Sequence, residues 1–177
     1  MNGNKGFTIV EMLVVFAIFS IVIGIATGVF ASMISLQRFN LANNHLLNQA
    51  SYFVEYMSRA FRQAVKDNGS CILPSGQNYE VRDGGSTIEF KNYRGECQTF
   101  SLSGGRLMVS GDGFSGNQPL SSDDFTISYL NFNIIGEGPD NLQPRVTVSL
   151  KMTANNVGDT DPSINIQTTI SQRNLDL

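Results

Sequence analysis

The sequence has no tryptophan, one histidine and two cysteines among its 177 residues, and Asp, Glu, Lys and Arg together supply only 15% of it. Soluble domains usually carry about 25% of these four. The shortfall is local: none of them occurs from Met12 to Gln37, while the rest of the chain is ordinarily polar. A net charge of −3 and a pI near 5.0 give no basic footprint for nucleic acid. Nucleic acid is therefore not an expected partner, and Arg59 and Arg62 read as a solvated helix face. Two thiols and His45 do not complete a tetrahedral zinc site, and their spacing matches no zinc pattern. No metal centre is expected, and His45 reads as a surface residue. The chain also lacks Gly-x-Ser-x-Gly, a phosphate loop and His-Glu-x-x-His, and a serine triad would have to recruit His45. The expectation is a protein that is not an enzyme.

What the sequence does hold is a long apolar run near its start. Met1-Asn2-Gly3-Asn4-Lys5-Gly6 leads into Phe7-Thr8-Ile9-Val10-Glu11-Met12-Leu13 and then into about 25 apolar residues. A secretory signal has a shorter apolar stretch and a small-residue cleavage site after it. This run is long enough to span a bilayer as a helix, which takes about 20 residues. Glu11 is the anomaly. A carboxylate inside such a helix costs up to about 3 kcal/mol and less near the interface, so it requires a partner. No cation lies nearby in the segment.

Gly6-Phe7-Thr8-Ile9-Val10-Glu11 resembles the processing motif of type IV prepilins and pseudopilins. The resemblance covers about the first 35 residues, and its size and layout are most similar to a minor pilin or minor pseudopilin. It implies a leader at 1–6, cleavage between Gly6 and Phe7 by the membrane-embedded prepilin peptidase, and N-methylation of Phe7. It also implies a helix over 7–36 that lies in the membrane and then in a filament core, and a domain over 37–177 outside the cytoplasm. The new ammonium on Phe7 would supply the cation that Glu11 lacks, in the same or a neighbouring subunit. Gly6 suits the protease site because a residue without a side chain lets an extended backbone enter. Gly24 and Gly28 permit close helix contact, although this spacing is common in any membrane helix. Many major pilins carry a proline near the position of Gly28, and this chain does not.

Helical periodicity continues past the apolar run. Leu46, Ala50, Phe53, Met57, Ala60, Phe61 and Ala64 recur at three and four, with Asn48, Gln49, Glu55, Arg59 and Arg62 largely elsewhere. The pattern predicts one helix from Phe7 to Lys66, stopped by Asp67-Asn68-Gly69. Alternation then predicts strands at Thr87–Tyr93, Gln98–Ser103, Arg106–Ser110, Phe125–Ile134, Val146–Met152 and Ile164–Ile170. Gly104-Gly105 reads as a hairpin turn. The run from Phe125 changes phase after Tyr129, which predicts a bulge or bend. The last two strands should pair antiparallel across 153–163. The fold class is α+β, with an antiparallel sheet packed on the amphipathic half of a long N-terminal helix.

An even cysteine count behind an export-type N-terminus favours a Cys71–Cys97 disulfide, which would pin the Gly-rich loop onto the sheet. No cofactor is expected. Gly158-Asp159-Thr160-Asp161 offers oxygens of the kind some pseudopilins use for calcium, but two carboxylates are too few for a site of six to eight ligands. The function read from all this is a structural subunit of a type IV pilus, competence or type II secretion filament. Its partners would be other pilin-like subunits, the prepilin peptidase, and the inner membrane with its assembly platform. The alternative is a membrane-anchored binding module at a filament tip, for which an exposed aromatic or basic patch would be the sign.

Overall fold

The computed structural model describes residues 6–72, 76–137, 142–155 and 161–173. By its internal contacts the chain divides into a unit Met1–Asn40 and a unit Leu41–Leu177. A single helix, α1 (Ile9–Arg62), supplies the first unit and the opening of the second. It begins two residues later and ends four earlier than periodicity suggests. Thr8 caps its start, and at its end Ala64 N–H bonds Phe61 O at 3.3 Å in a tightened last turn. Val65 has already left the helix, because its N–H donates to Lys91 O at 3.0 Å on a sheet strand.

In the first unit α1 is apolar on every side and exposed throughout. Phe7, Phe16, Phe19, Phe30 and Met33 are each at least 60% accessible. An 18-residue window of this helix has a mean hydropathy of 2.8 and no buried residue, so it is long and apolar enough to cross a membrane. Ser20 and Thr27 return their hydroxyls to the carbonyls of Phe16 and Ile23, each at 2.8 Å. These hydroxyls therefore need no partner outside their own helix.

In the second unit α1 buries a single stripe. Leu46, Phe53, Met57 and Phe61 are fully inaccessible and Ala50 nearly so, while Asn48, Glu55, Arg59 and Arg62 remain exposed. The expected single sheet is in fact two. β1 (Tyr79–Arg82), β2 (Thr87–Lys91), β3 (Cys97–Ser103), β4 (Arg106–Gly111) and β5 (Phe114–Pro119) form an antiparallel meander. β6 (Phe125–Ile135), β7 (Arg145–Ala154) and β8 (Ser163–Ser171) form a second antiparallel sheet. β1 and β5 were not expected.

The two sheets share one core centred on Phe61. Its ring meets those of Tyr79, Phe90, Phe100 and Phe132 edge-on, with centroids 5.9, 5.3, 5.6 and 6.2 Å away. Edge-to-face geometry matches the ring quadrupoles and adds to the burial energy. Tyr79 Oη donates to Phe61 O at 2.6 Å, which satisfies both the buried hydroxyl and a carbonyl at the helix end. The β3–β4 hairpin turns at Gly104 and Gly105, both with positive φ (58° and 75°), as a two-residue turn of the expected kind requires. The phase change in β6 is a bulge: register shifts between Ile127 and Tyr129. Ile127 and Leu130 point inward, and Tyr129 is turned out to solvent.

Candidate functional site

The helix start is built by Thr8 and Glu11. Glu11 N–H donates to Thr8 Oγ1 at 3.3 Å, and Thr8 N–H donates to Glu11 Oε2 at 3.5 Å. This reciprocal capping box satisfies two donors that a helix N-terminus leaves open. It also bends the Glu11 carboxylate back toward the chain start, one residue from the Phe7 nitrogen. The pattern Thr-x-x-Glu was visible in the sequence and its capping meaning was missed. Gly6, Phe7 and Thr8 lie outside the helix and are exposed, and nothing lies within 4 Å of where a Gly6 side chain would begin. The Gly6–Phe7 peptide is thus in non-helical, accessible backbone. Gly24 and Gly28 likewise face open space.

Cys71 and Cys97 are joined, with Cα atoms 5.3 Å apart across 26 positions. Cys97 opens β3 rather than preceding it, so the bond ties the loop after α1 to a sheet strand. Asp67 organises that loop, rather than stopping the helix. Its buried carboxylate accepts the backbone N–H groups of Gly69, Ser70, Cys71 and Ile72 at 2.8–3.1 Å. Lys91 Nζ lies 3.5 Å from Asp67 Oδ1. Burial by itself would raise the Asp67 pKa, but the four donors outweigh it and hold the carboxyl at about 2. The close approach of β4 to this cystine explains Gly111, where a Cβ would sit 2.2 Å from Cys97 O.

His45, Ser122 and Asp124 line one cleft of about 500 Å3 together with Asn48, Gln49 and Asn155. Ser122 Oγ donates directly to Asp124 Oδ2 at 2.9 Å, so the hydroxyl is committed to the acid and is not presented to an imidazole base. Among the described residues no group of three or more His, Cys, Asp or Glu is placed to hold a metal ion. Of the candidate calcium oxygens, Gly158, Asp159 and Thr160 lie outside the described residues. Arg59 pairs with Glu55 at 2.8 Å on an exposed face, as read from the sequence.

An exposed apolar helix of membrane length, followed in the chain by an α+β unit stapled by one cystine, fits a membrane anchor with a domain attached. The comparison with protein families gives that anchor its kind: the Prokaryotic N-terminal methylation motif matches residues 1–27. The match supports a type IV pilin-like N-terminus and covers no residue of the second unit. No curated protein and no solved structure matches the chain.

Proposed function

We propose that the protein is a minor subunit of a type IV filament: a pilus, a competence filament or a type II secretion pseudopilus. Prepilin peptidase cuts between Gly6 and Phe7, Phe7 is N-methylated, and residues 7–36 hold the chain in the bacterial cytoplasmic membrane with residues 37–177 outside the cytoplasm. Extraction into a filament then exchanges lipid around the helix for neighbouring helices. The observation that supports this most is the Glu11 carboxylate bent back by the Thr8 cap toward the nitrogen that cleavage would free. An ammonium there would neutralise the one acid between Phe7 and Gln37. In a helix core such a pair sets register, because one partner left alone is a buried, unmatched charge.

Intact mass tests the first step. Coexpression with prepilin peptidase is expected to remove residues 1–6 and, with the methylating activity present, to add one methyl group. A full-length chain under both conditions refutes the reading. Glu11→Ala is expected to reach the membrane normally and to enter filaments poorly; unchanged incorporation removes the pairing role.

One observation favours the binding-module alternative. Tyr93 is 55% exposed on the β2–β3 turn, with the Arg94 guanidinium 5.2 Å from its ring centroid. Such a pair suits a flat or anionic ligand. Tyr93→Ala that abolishes surface binding while filaments still form would support a tip role.

A further inference from the structure

A small polar cavity of about 190 Å3 lies in the second unit, between the last turns of α1 and the turns that follow β2 and β4. Tyr56, Arg59, Ala60 and Gln63 form its helix wall; Asn92, Tyr93, Gln98 and Asp112 form the other. Its polar groups are firmly placed. The Tyr56 ring meets Phe100 edge-on at 5.8 Å. Gln98 follows Cys97 on β3, where the cystine ties the strand to the loop after α1. Asn92 is buried, and its Oδ1 accepts the N–H groups of Arg94 and Glu96 at 2.9 and 3.0 Å. Asp112 takes a positive φ of 54° in the β4–β5 turn, and its Oδ2 accepts from Tyr56 Oη at 3.3 Å.

Two polar atoms are left over. Gln98 is 1% exposed, and among the described residues its Nε2 has no hydrogen-bond partner. The Tyr56 phenol is near enough to feel this amide without accepting from it. Asp112 Oδ1 is covered as well and accepts no hydrogen bond, with Arg94 Nη1 standing off as an ion-pair partner at 3.5 Å. A buried donor or acceptor without a bond is costly and rare in folded proteins. Here one of each belongs to a single cavity. Tyr93 and Arg94, both exposed, are the side chains that swing aside to uncover them.

The charges around the cavity are matched. Arg59 pairs with Glu55 and Arg94 with Asp112, while Glu96 accepts from Asn92 Nδ2 at 3.4 Å. A phosphate would meet the Asp112 carboxylate, so a neutral ligand fits better than an anionic one. Drug-sized sites start at about 300 Å3, so this cavity takes one small unit. A hydroxyl both donates and accepts, which answers the amide and the carboxylate together. The exposed Tyr93 ring offers its negative face to the slightly positive C–H groups of a sugar ring. We infer that this cavity binds one neutral sugar residue of a glycan. Gln98 Nε2 donates to its hydroxyls, Asp112 Oδ1 accepts from them, and Tyr93 stacks on the ring. The site does not depend on the filament reading; it gives the binding-module alternative a ligand class.

The test uses the full-length chain in phosphatidylcholine nanodiscs, because sugar-headed detergents would compete. Saturation-transfer NMR with glucose, galactose, mannose and N-acetylglucosamine, together with an array of immobilised glycans, should show binding of at least one sugar. Tyr93→Ala and Gln98→Leu should each weaken that binding about tenfold, the effect of one lost anchoring contact. Asp112→Asn should do the same by turning an acceptor into a donor, and asparagine tolerates the positive φ of this turn. Arg94→Ala should leave binding intact, because the ligand carries no charge. The inference is overturned if no sugar binds, or if Arg94→Ala abolishes binding. It is equally overturned if binding survives Tyr93→Ala and Asp112→Asn in chains that keep the wild-type urea midpoint, or if a short DNA strand or a tripeptide binds at Tyr93 and no sugar does. A chain that is trimmed and recovered in filaments but binds no sugar loses this site and keeps the filament reading. A chain that binds sugar through Tyr93 but is neither trimmed nor recovered in filaments does the reverse.

Discussion

The two lengths of α1 are built from similar apolar residues and end in opposite surroundings. Between Met12 and Gln37 every turn is apolar on all sides, and no residue of this length is buried by the protein itself. Between Leu46 and Phe61 one apolar stripe faces the sheets and is sealed, while Glu55 and Arg59 face water. Burial of a stripe needs only one neighbour, so a domain can complete it. A helix apolar all round needs neighbours on all sides. Among the described residues none buries the first unit, which is the surface that the proposed function gives to lipid and to neighbouring helices.

The sharpest way to break this contrast is a pair of identical truncations. Phe61→Ala removes the ring at the centre of four aromatic contacts and is expected to lower the stability of the second unit by about 4 kcal/mol. Phe16→Ala, at a position 60% accessible, should leave the same urea transition unchanged and act only on assembly. Equal effects of the two on the unfolding midpoint would mean that the apolar length is folded onto the domain.

Much of this contrast could be read from the residues alone. The stripe from Leu46 to Ala64 announces itself by its spacing, and the bulge at Tyr129 by the switch from odd to even inward positions. Gly104-Gly105 marked its own turn. β5 could not be found this way: Phe114–Pro119 is exposed on both faces, so nothing alternates along it. β1 is four residues long, too short for a periodic signal. The split into two sheets depends on which strand edges meet across the core, which no local pattern encodes. At the helix start, Gly6, Phe7 and Glu11 stood out by type and position. The Thr8–Glu11 cap is also legible as Thr-x-x-Glu, but in an apolar segment the same Glu11 reads first as an unmatched charge. Asp67 looked like a helix stop because Asp-Asn-Gly is common after helices. Its true role depends on four later N–H groups curling round it.

The next effect in size concerns the staple between loop and sheet. Replacing Cys71 and Cys97 together by serine is expected to cost the second unit about 3 kcal/mol, from the loop entropy returned to the unfolded chain. Membrane insertion should be unchanged, because the first unit contains neither cysteine. Loss of insertion in the double variant would show that anchor and domain are not separable as their contacts suggest.

The smallest effect isolates Asp67 and is read through pH. Its folded pKa of about 2 lies below the ordinary 3.8, so the folded state favours the charged form. The sign follows: stability from this group is complete above about pH 4 and is lost as pH falls through 2, where the carboxylate is protonated in both states. Asp67→Asn keeps the size of the side chain but replaces one acceptor oxygen with a donor, which opposes the N–H groups of residues 69–72. It should cost about 2 kcal/mol at pH 7. The wild-type advantage over this variant should then shrink between pH 4 and 2 in urea titrations of the disulfide-intact protein. An advantage that stays constant down to pH 2 would mean that Asp67 acts through its shape, with the loop closed by the cystine alone.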